Sequence, residues 1–248
     1  MSGRRFATLD LEERPDRYVA TLNRPKTRNA IDSGMVEELH VVCDMVERSH
    51  RPLLITGAGG TFAAGADIAQ LAQRGREDAL SGINRRLFER IARLPALTVA
   101  AVNGPALGGG AELAYACDVR IVTPTAQFAN PEPGLGILPA AGACWRLAQL
   151  VGTSVAKQVL LGGFTLSAER AFQVGLVAEI VGAEELLDRA HQILDRAAAW
   201  SPLAWRLTKL VLDSDGAHPL ADDLAQAILF ETPEKRERMA AFLNRSTP

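Results

Sequence analysis

Apolar positions along the chain follow two alternating patterns. RYVATL, Arg17 to Leu22, reads as a strand, and a polar turn, Asn23 to Asn29, separates it from a helical stretch over Ile31 to Val46. Within that stretch Met35, Leu39, Val42 and Val46 recur at the helical period and share one face. The run Pro52 to Thr56, closed by the turn Gly57 to Gly60, predicts a buried strand. Leu97 to Val102 predicts another, after an Arg/Ala-rich helix that ends near Pro95. A Gly-rich loop over Asn103 to Gly110, a short helix over Ala111 to Cys117 and a third buried strand over Val119 to Val122 follow. Strands alternating with helices predict an α/β fold. Thr165 to Val181 reads as a helix closed by Gly175 in the C′ position, then a last strand, Gly175 to Val181. Helical patterns dominate from there, which divides the chain into an α/β core over 1–196 and a helical region over 197–248.

Composition narrows the function. A hydrophobic content of 48% in 248 residues can bury a real core. The formal net charge is only -2, so no global field exists to hold nucleic acid or an anionic membrane, and an anionic ligand must be met by local charge. The opening residues lack an apolar signal region, and no stretch approaches the roughly 20 apolar residues of a spanning helix, which leads us to expect a cytoplasmic protein. Cys43, Cys117 and Cys144 form no CxxC pair; they are expected to be reduced, packed thiols rather than a disulfide framework or a zinc site, and no metal site is expected.

Three Gly/Ala-rich segments, Thr61 to Ile68, Asn103 to Asp118 and Phe128 to Gly142, each lie where a strand ends. Small residues let a ligand approach the backbone, and free N–H groups opening a helix favour negative charge; the competing reading of each segment is a tight turn between packed elements. Other uses of such loops fail. The central loop lacks the Lys-Ser/Thr of a Walker A motif, its glycines miss the dinucleotide spacing, and no GxSxG occurs. His40, His50, His191 and His218 are scattered and read as surface or packing residues.

Taken together, AGAD (Ala64 to Asp67), AAVNGPALGGGAEL (Ala100 to Leu113) and PEPGLGILP (Pro131 to Pro139) resemble the signature of the crotonase (enoyl-CoA hydratase/isomerase) superfamily, in its usual order and spacing. The resemblance extends to Leu22 to Ile31, Leu160 to Val177 and Glu237 to Asn244. It implies an α/β spiral of β-β-α units with a C-terminal helical oligomerisation region. It further implies an acyl-CoA thioester substrate with no separate cofactor, no nucleic-acid or membrane partner, and a homotrimer or homohexamer. The backbone N–H groups of Ala66 and Gly109 match the family's oxyanion hole, where they stabilise a thioester enolate. Glu112 and Glu132 match the two glutamates that position and activate water for attack at C3 and supply a proton to C2. The plainer readings are a carboxylate complementing a helix N-terminus for Glu112 and a solvated loop acid for Glu132. Arg24, Lys26 and Arg28, in the turn that faces CoA in relatives, either contact its phosphates or form an ordinary solvated turn. Ala64, Asp67, Ile68 and Gly108 complete the implied CoA and substrate contacts.

The chain departs from the commonest hydratase pattern at Ala140 to Trp145 (AAGACW), which points to a bulkier acyl pocket, and at Ala69, where lysine is frequent. The acyl specificity depends on how Gln70 to Leu94 packs, a region expected to be mobile or helical. Reversible hydration of a trans-2-enoyl-CoA is the leading expectation. Its rivals are Δ3,Δ2-isomerisation, or another lyase reaction of this family, and, in a different class, a non-catalytic acyl-CoA-binding or interaction protein.

Overall fold

The computed structural model describes residues 6–214 and 218–245. Among the described residues nine strands, numbered in chain order, form two sheets: β1 (Leu9–Glu13), β2 (Tyr18–Leu22), β3 (Leu53–Gly57), β4 (Thr98–Val102), β5 (Ala106–Leu107), β6 (Val119–Val122), β7 (Gln127–Ala129), β8 (Leu166–Ser167) and β9 (Glu179–Ile180). The larger sheet runs β1-β2-β3-β4-β6-β9 and the smaller β5-β7-β8. From β2 onward every pair in the larger sheet is parallel; β1 alone is antiparallel, pairing Leu9 with Leu22 and Glu13 with Tyr18. All five residues of β3 and of β4 are buried, as a parallel sheet covered on both faces requires.

The helices are α1 (Ser33–Ser49), α2 (Ile68–Leu71), α3 (Arg76–Ser81), α4 (Ile83–Ala92), α5 (Gly109–Ala116), α6 (Ala148–Leu160), α7 (Ala168–Gln173), α8 (Leu186–Ala198), α9 (Pro202–Leu212), α10 (Leu220–Phe230) and α11 (Pro233–Arg245). Asp32 opens α1 by accepting a 2.8 Å hydrogen bond from the Met35 amide, and Met35, Leu39, Val42 and Val46 form its buried face as their spacing requires. The chain divides into two compact units, one through Leu194 and one from Asp195 onward, the second comprising the end of α8 and α9 to α11.

Several elements differ from the sequence reading. The edge strand β1 and the short β5, β7 and β8 were not expected, and the last strand shrinks to Glu179–Ile180. The helix expected at Ala111 begins at Gly109, which brings the last glycines of the loop into its first turn. Gln70 to Leu94 is helical, folded into α3 and α4 after the single turn of α2. Gly175 does follow α7 with a positive φ of 77°, the left-handed conformation that ends a helix. Cys43 and Cys117 are packed, but Cys144, in the π-helical turn Ala143–Leu147 that leads into α6, is exposed.

Candidate active site

The three small-residue segments meet at one cavity of about 350 Å³. β3 feeds the first segment, β4 the second and β7 the third, so each arrives from the end of a strand. Buried Asn29 ties the first in place by donating to the carbonyls of Ala58, Thr61 and Phe62. The second packs on the first so closely that a Cβ at Gly110 would stand 2.2 Å from the Ala63 carbonyl oxygen. The third is joined to the second through β5 and β7 and through a 2.8 Å bond from the Gly108 amide to the Ala129 carbonyl.

Two amides are left over by this arrangement. Ile31 pairs across the bridge with Ala66 by donating to Gly65 and accepting from Asp67, which leaves the Ala66 N–H turned the other way with no acceptor among the described residues. The Gly109 N–H, at the first position of α5, has no helical acceptor because the helix starts there. A Cβ built on Gly109 would come to 3.4 Å from the Ala66 nitrogen and 3.6 Å from Asn84 Nδ2. Glycine at 109 thus keeps open the space that both amides border. An oxyanion placed there meets two N–H donors and the positive end of α5.

Glu112 projects from the first turn of α5 and is almost wholly buried. Its Oε1 accepts from the amides of Ala141 (2.8 Å) and Ala143 (3.0 Å), so the AAGACW turn fixes this carboxyl. Burial pushes its pKa up to about 7; the two amides pull the other way, and the charge of Glu132 raises it further. Glu132 stands in a short 3-10 turn, Glu132–Leu135, and burial raises its pKa also. It is not the solvated loop acid that the flanking prolines allowed: its Oε2 is buried and has no hydrogen-bond partner among the described residues. Gly108 makes room for it, since a Cβ there would lie 2.9 Å from Glu132 Oε1, and its φ of 50° suits glycine.

Of the residues singled out in the sequence, Ala64, Ala66, Ile68, Gly108, Gly109, Glu112 and Glu132 line the cavity together. Arg24, Lys26, Arg28 and Asp67 do not. Half-buried Arg24 already pairs with Asp32 (3.1 Å) and Asp67 (3.2 Å), so its charge is matched within the protein. Asp67 also caps α2 by accepting from Gln70, and that bond together with Arg24 holds its pKa below the usual range. Lys26 and Arg28 are exposed, and the Arg28 carbonyl accepts from Ala64 at 2.9 Å, which joins their turn to the cavity rim. Sequence reasoning missed Asn84, buried on α4 and facing the cavity, and the amides of Ala141 and Ala143. An asparagine inside an otherwise amphipathic helix was the available signal for the first; a backbone donor carries none.

Two amides without acceptors among the described residues border one space, and two buried carboxyls of raised pKa line the same cavity, an arrangement that can hold an oxyanion and exchange protons beside it. The family described as enoyl-CoA hydratase/isomerase matches residues 18–248, and the chain belongs to it. The chain is 35% identical to a short-chain-enoyl-CoA hydratase of Clostridium acetobutylicum, over 95% of this chain and 94% of that protein. It is 37% identical to a crotonyl-CoA hydratase of Syntrophomonas wolfei, over 97% and 96%. Among solved structures, an enoyl-CoA hydratase subunit I from Geobacillus kaustophilus superposes with a TM-score of 0.90 at 33% identity, covering 98% of this chain and 97% of that one.

Proposed function

We propose that this protein catalyses the reversible addition of water to a trans-2-enoyl-CoA, giving a 3-hydroxyacyl-CoA. The observation that carries the reading is the pair of buried carboxyls, Glu112 and Glu132, on the wall of the cavity that the Ala66 and Gly109 amides also line. With Glu112 raised to about 7 and Glu132 raised as well, the pair holds one proton across part of the neutral range, which supplies an acid and a base at once. The ionised carboxylate takes a proton from water as the water oxygen bonds to C3. The C2–C3 π electrons move into the thioester carbonyl, and the resulting enolate oxygen is held by Ala66 and Gly109. Collapse of the enolate onto the proton of the other carboxyl forms the C2–H bond, and the pair again holds a single proton.

The names of the relatives from C. acetobutylicum and S. wolfei support hydration, and two carboxyls at the cavity favour it over isomerisation, which needs only one proton shuttle. On this reading Lys26 and Arg28, exposed on a turn that the Ala64 amide holds through the Arg28 carbonyl, meet the CoA phosphates, while Arg24 and Asp67 brace the turn from within. The exposed apolar residues of α10 and α11, Leu224, Ile228, Phe230, Met239, Phe242 and Leu243, support assembly into a trimer or a hexamer of two trimers. The test of the activity is direct: purified protein is mixed with crotonyl-CoA and the conjugated-enoyl absorbance followed. Loss of absorbance with formation of 3-hydroxybutyryl-CoA is expected. A flat trace with tight binding of acyl-CoA would overturn hydration in favour of a binding protein.

A further inference from the structure

The rest of the cavity lining is mostly apolar and includes Leu71 on α2, Ile83 on α4 and Leu138 beyond Glu132. Three charged side chains interrupt it: Arg74, Asp78 and Arg85. Two of them are committed elsewhere. Asp78 caps the start of α3 by accepting from the Gly75 amide at 2.8 Å, and Arg85 pairs with Glu89 at 2.8 Å. Half-buried Arg74 has no carboxylate partner among the described residues; its contact is a 3.3 Å hydrogen bond from Nη1 to Asn84 Oδ1. Asn84 is 8% exposed, and its Nδ2 lies near the oxyanion position, 3.6 Å from where a Gly109 Cβ would stand. A polar track therefore leads from the thioester end of the cavity, across one carboxamide, to an unmatched guanidinium.

We propose that the acyl group accepted here ends in a carboxylate, which the Arg74 guanidinium holds, with Asn84 as the positioning residue for that guanidinium. The proposal rests on the acyl-thioester reading of the site and specifies its substrate class. The physical argument is one of desolvation. A methyl-terminated chain filling this cavity would strip water from the cavity-facing side of half-buried Arg74 and offer no polar group in return. A carboxylate restores the lost hydration with charge-assisted, fork-like hydrogen bonds from the guanidinium nitrogens that Asn84 leaves free. Asn84 Oδ1 holds Nη1, and so fixes the plane in which the remaining donors point. The methylenes between thioester and carboxylate lie against Leu71, Ile83 and Leu138.

The experiment compares two substrates of equal length, hex-2-enoyl-CoA and the CoA monothioester of hex-2-enedioic acid. It also measures by calorimetry the affinities of the corresponding saturated esters. In the wild type the carboxylate-ended ester is expected to lead in kcat/KM by about tenfold or more, the size of one charge-assisted contact. Arg74→Leu should reverse that preference, and Arg74→Gln, a milder change if the leucine variant folds poorly, should bring the ratio to about one. Asn84→Ala should raise KM for the carboxylate-ended ester more than it lowers kcat, as expected of a residue acting through Arg74. A wild type that prefers the methyl-ended ester, or an Arg74→Leu ratio unchanged from wild type, would overturn the proposal. The binding ratio reports on Arg74 even if neither ester is hydrated, so failure of the hydratase reading and failure of the specificity reading give different results.

Discussion

Replacing Glu112 by glutamine separates what this carboxyl does for catalysis from what it costs the fold. Its pKa moves from the ordinary 4.5 to about 7 on folding, chiefly through burial. A raised carboxyl favours its protonated form in the native state, so its cost is absent below pH 4.5. The cost grows as pH climbs toward about 7 and stays in full above that. A shift of this size corresponds to about 3 kcal/mol of stability withheld at pH 8. Glutamine is neutral throughout, and its oxygen can still accept from the Ala141 and Ala143 amides, while its new NH2 group, lacking a partner, costs about 1 kcal/mol. The variant should therefore be more stable than wild type at pH 8 by about 2 kcal/mol, or roughly 4–8 °C in melting temperature, and no more stable at pH 4.5. Calorimetric melting of both proteins at the two pH values measures this. Turnover of the variant should fall by about a hundredfold or more, the loss typical of a missing acid–base group. A melting-temperature gap that is the same at both pH values would refute the buried, protonatable carboxyl. Wild-type turnover in the variant would refute its catalytic role.

Gly109→Ala sets a methyl group 3.4 Å from the Ala66 nitrogen, in the space the thioester oxygen needs, so kcat should drop by about a hundredfold in a folded protein, read by crotonyl-CoA hydration alongside circular dichroism. Arg24→Ala leaves Asp32 and Asp67 half-buried without their shared cation and should cost about 1–3 kcal/mol in urea unfolding, whereas Lys26→Ala should raise KM for the CoA ester severalfold with stability unchanged. Sedimentation at micromolar concentration should give a mass three or six times 26.6 kDa; a stable, active single chain would contradict the assembly proposed from α10 and α11.

The parallel core was readable because β3 and β4 are apolar runs that end at Gly57 and before Asn103, and because three of the four residues of β6 are β-branched and apolar; α1 was readable because four apolar residues keep the helical period. The strands that escaped notice did so for physical reasons. β1, LDLEE, is an edge strand whose exposed positions carry acids, and it reads as a loop until its partner β2 is known. β5 and β8 are two residues long and β7 three, too short for any alternation to register, and they exist because the small-residue segments must be pinned to one another.

The site shows the same division between what a pattern carries and what only packing creates. Gly108 and Gly109 stood out because residue type bears directly on the site: a side chain at 108 would crowd Glu132, and one at 109 would occupy the space beside the Ala66 amide. Glu132 carried no such mark, since an acid between two prolines is solvated in most contexts, and only the fold shows that it is buried on the cavity wall. Arg24 presents the converse case. Three cations in one turn suggest a basic mouth, but Asp32 and Asp67 reach Arg24 from the start of α1 and the start of α2, and only the fold brings them there. A charge counts toward ligand binding only after its internal partners are subtracted. By that rule Arg24 brings less unmatched charge to CoA than its position in the turn suggests, and Arg74, unremarkable in the sequence, gains the stronger claim to an anion because no carboxylate among the described residues answers it.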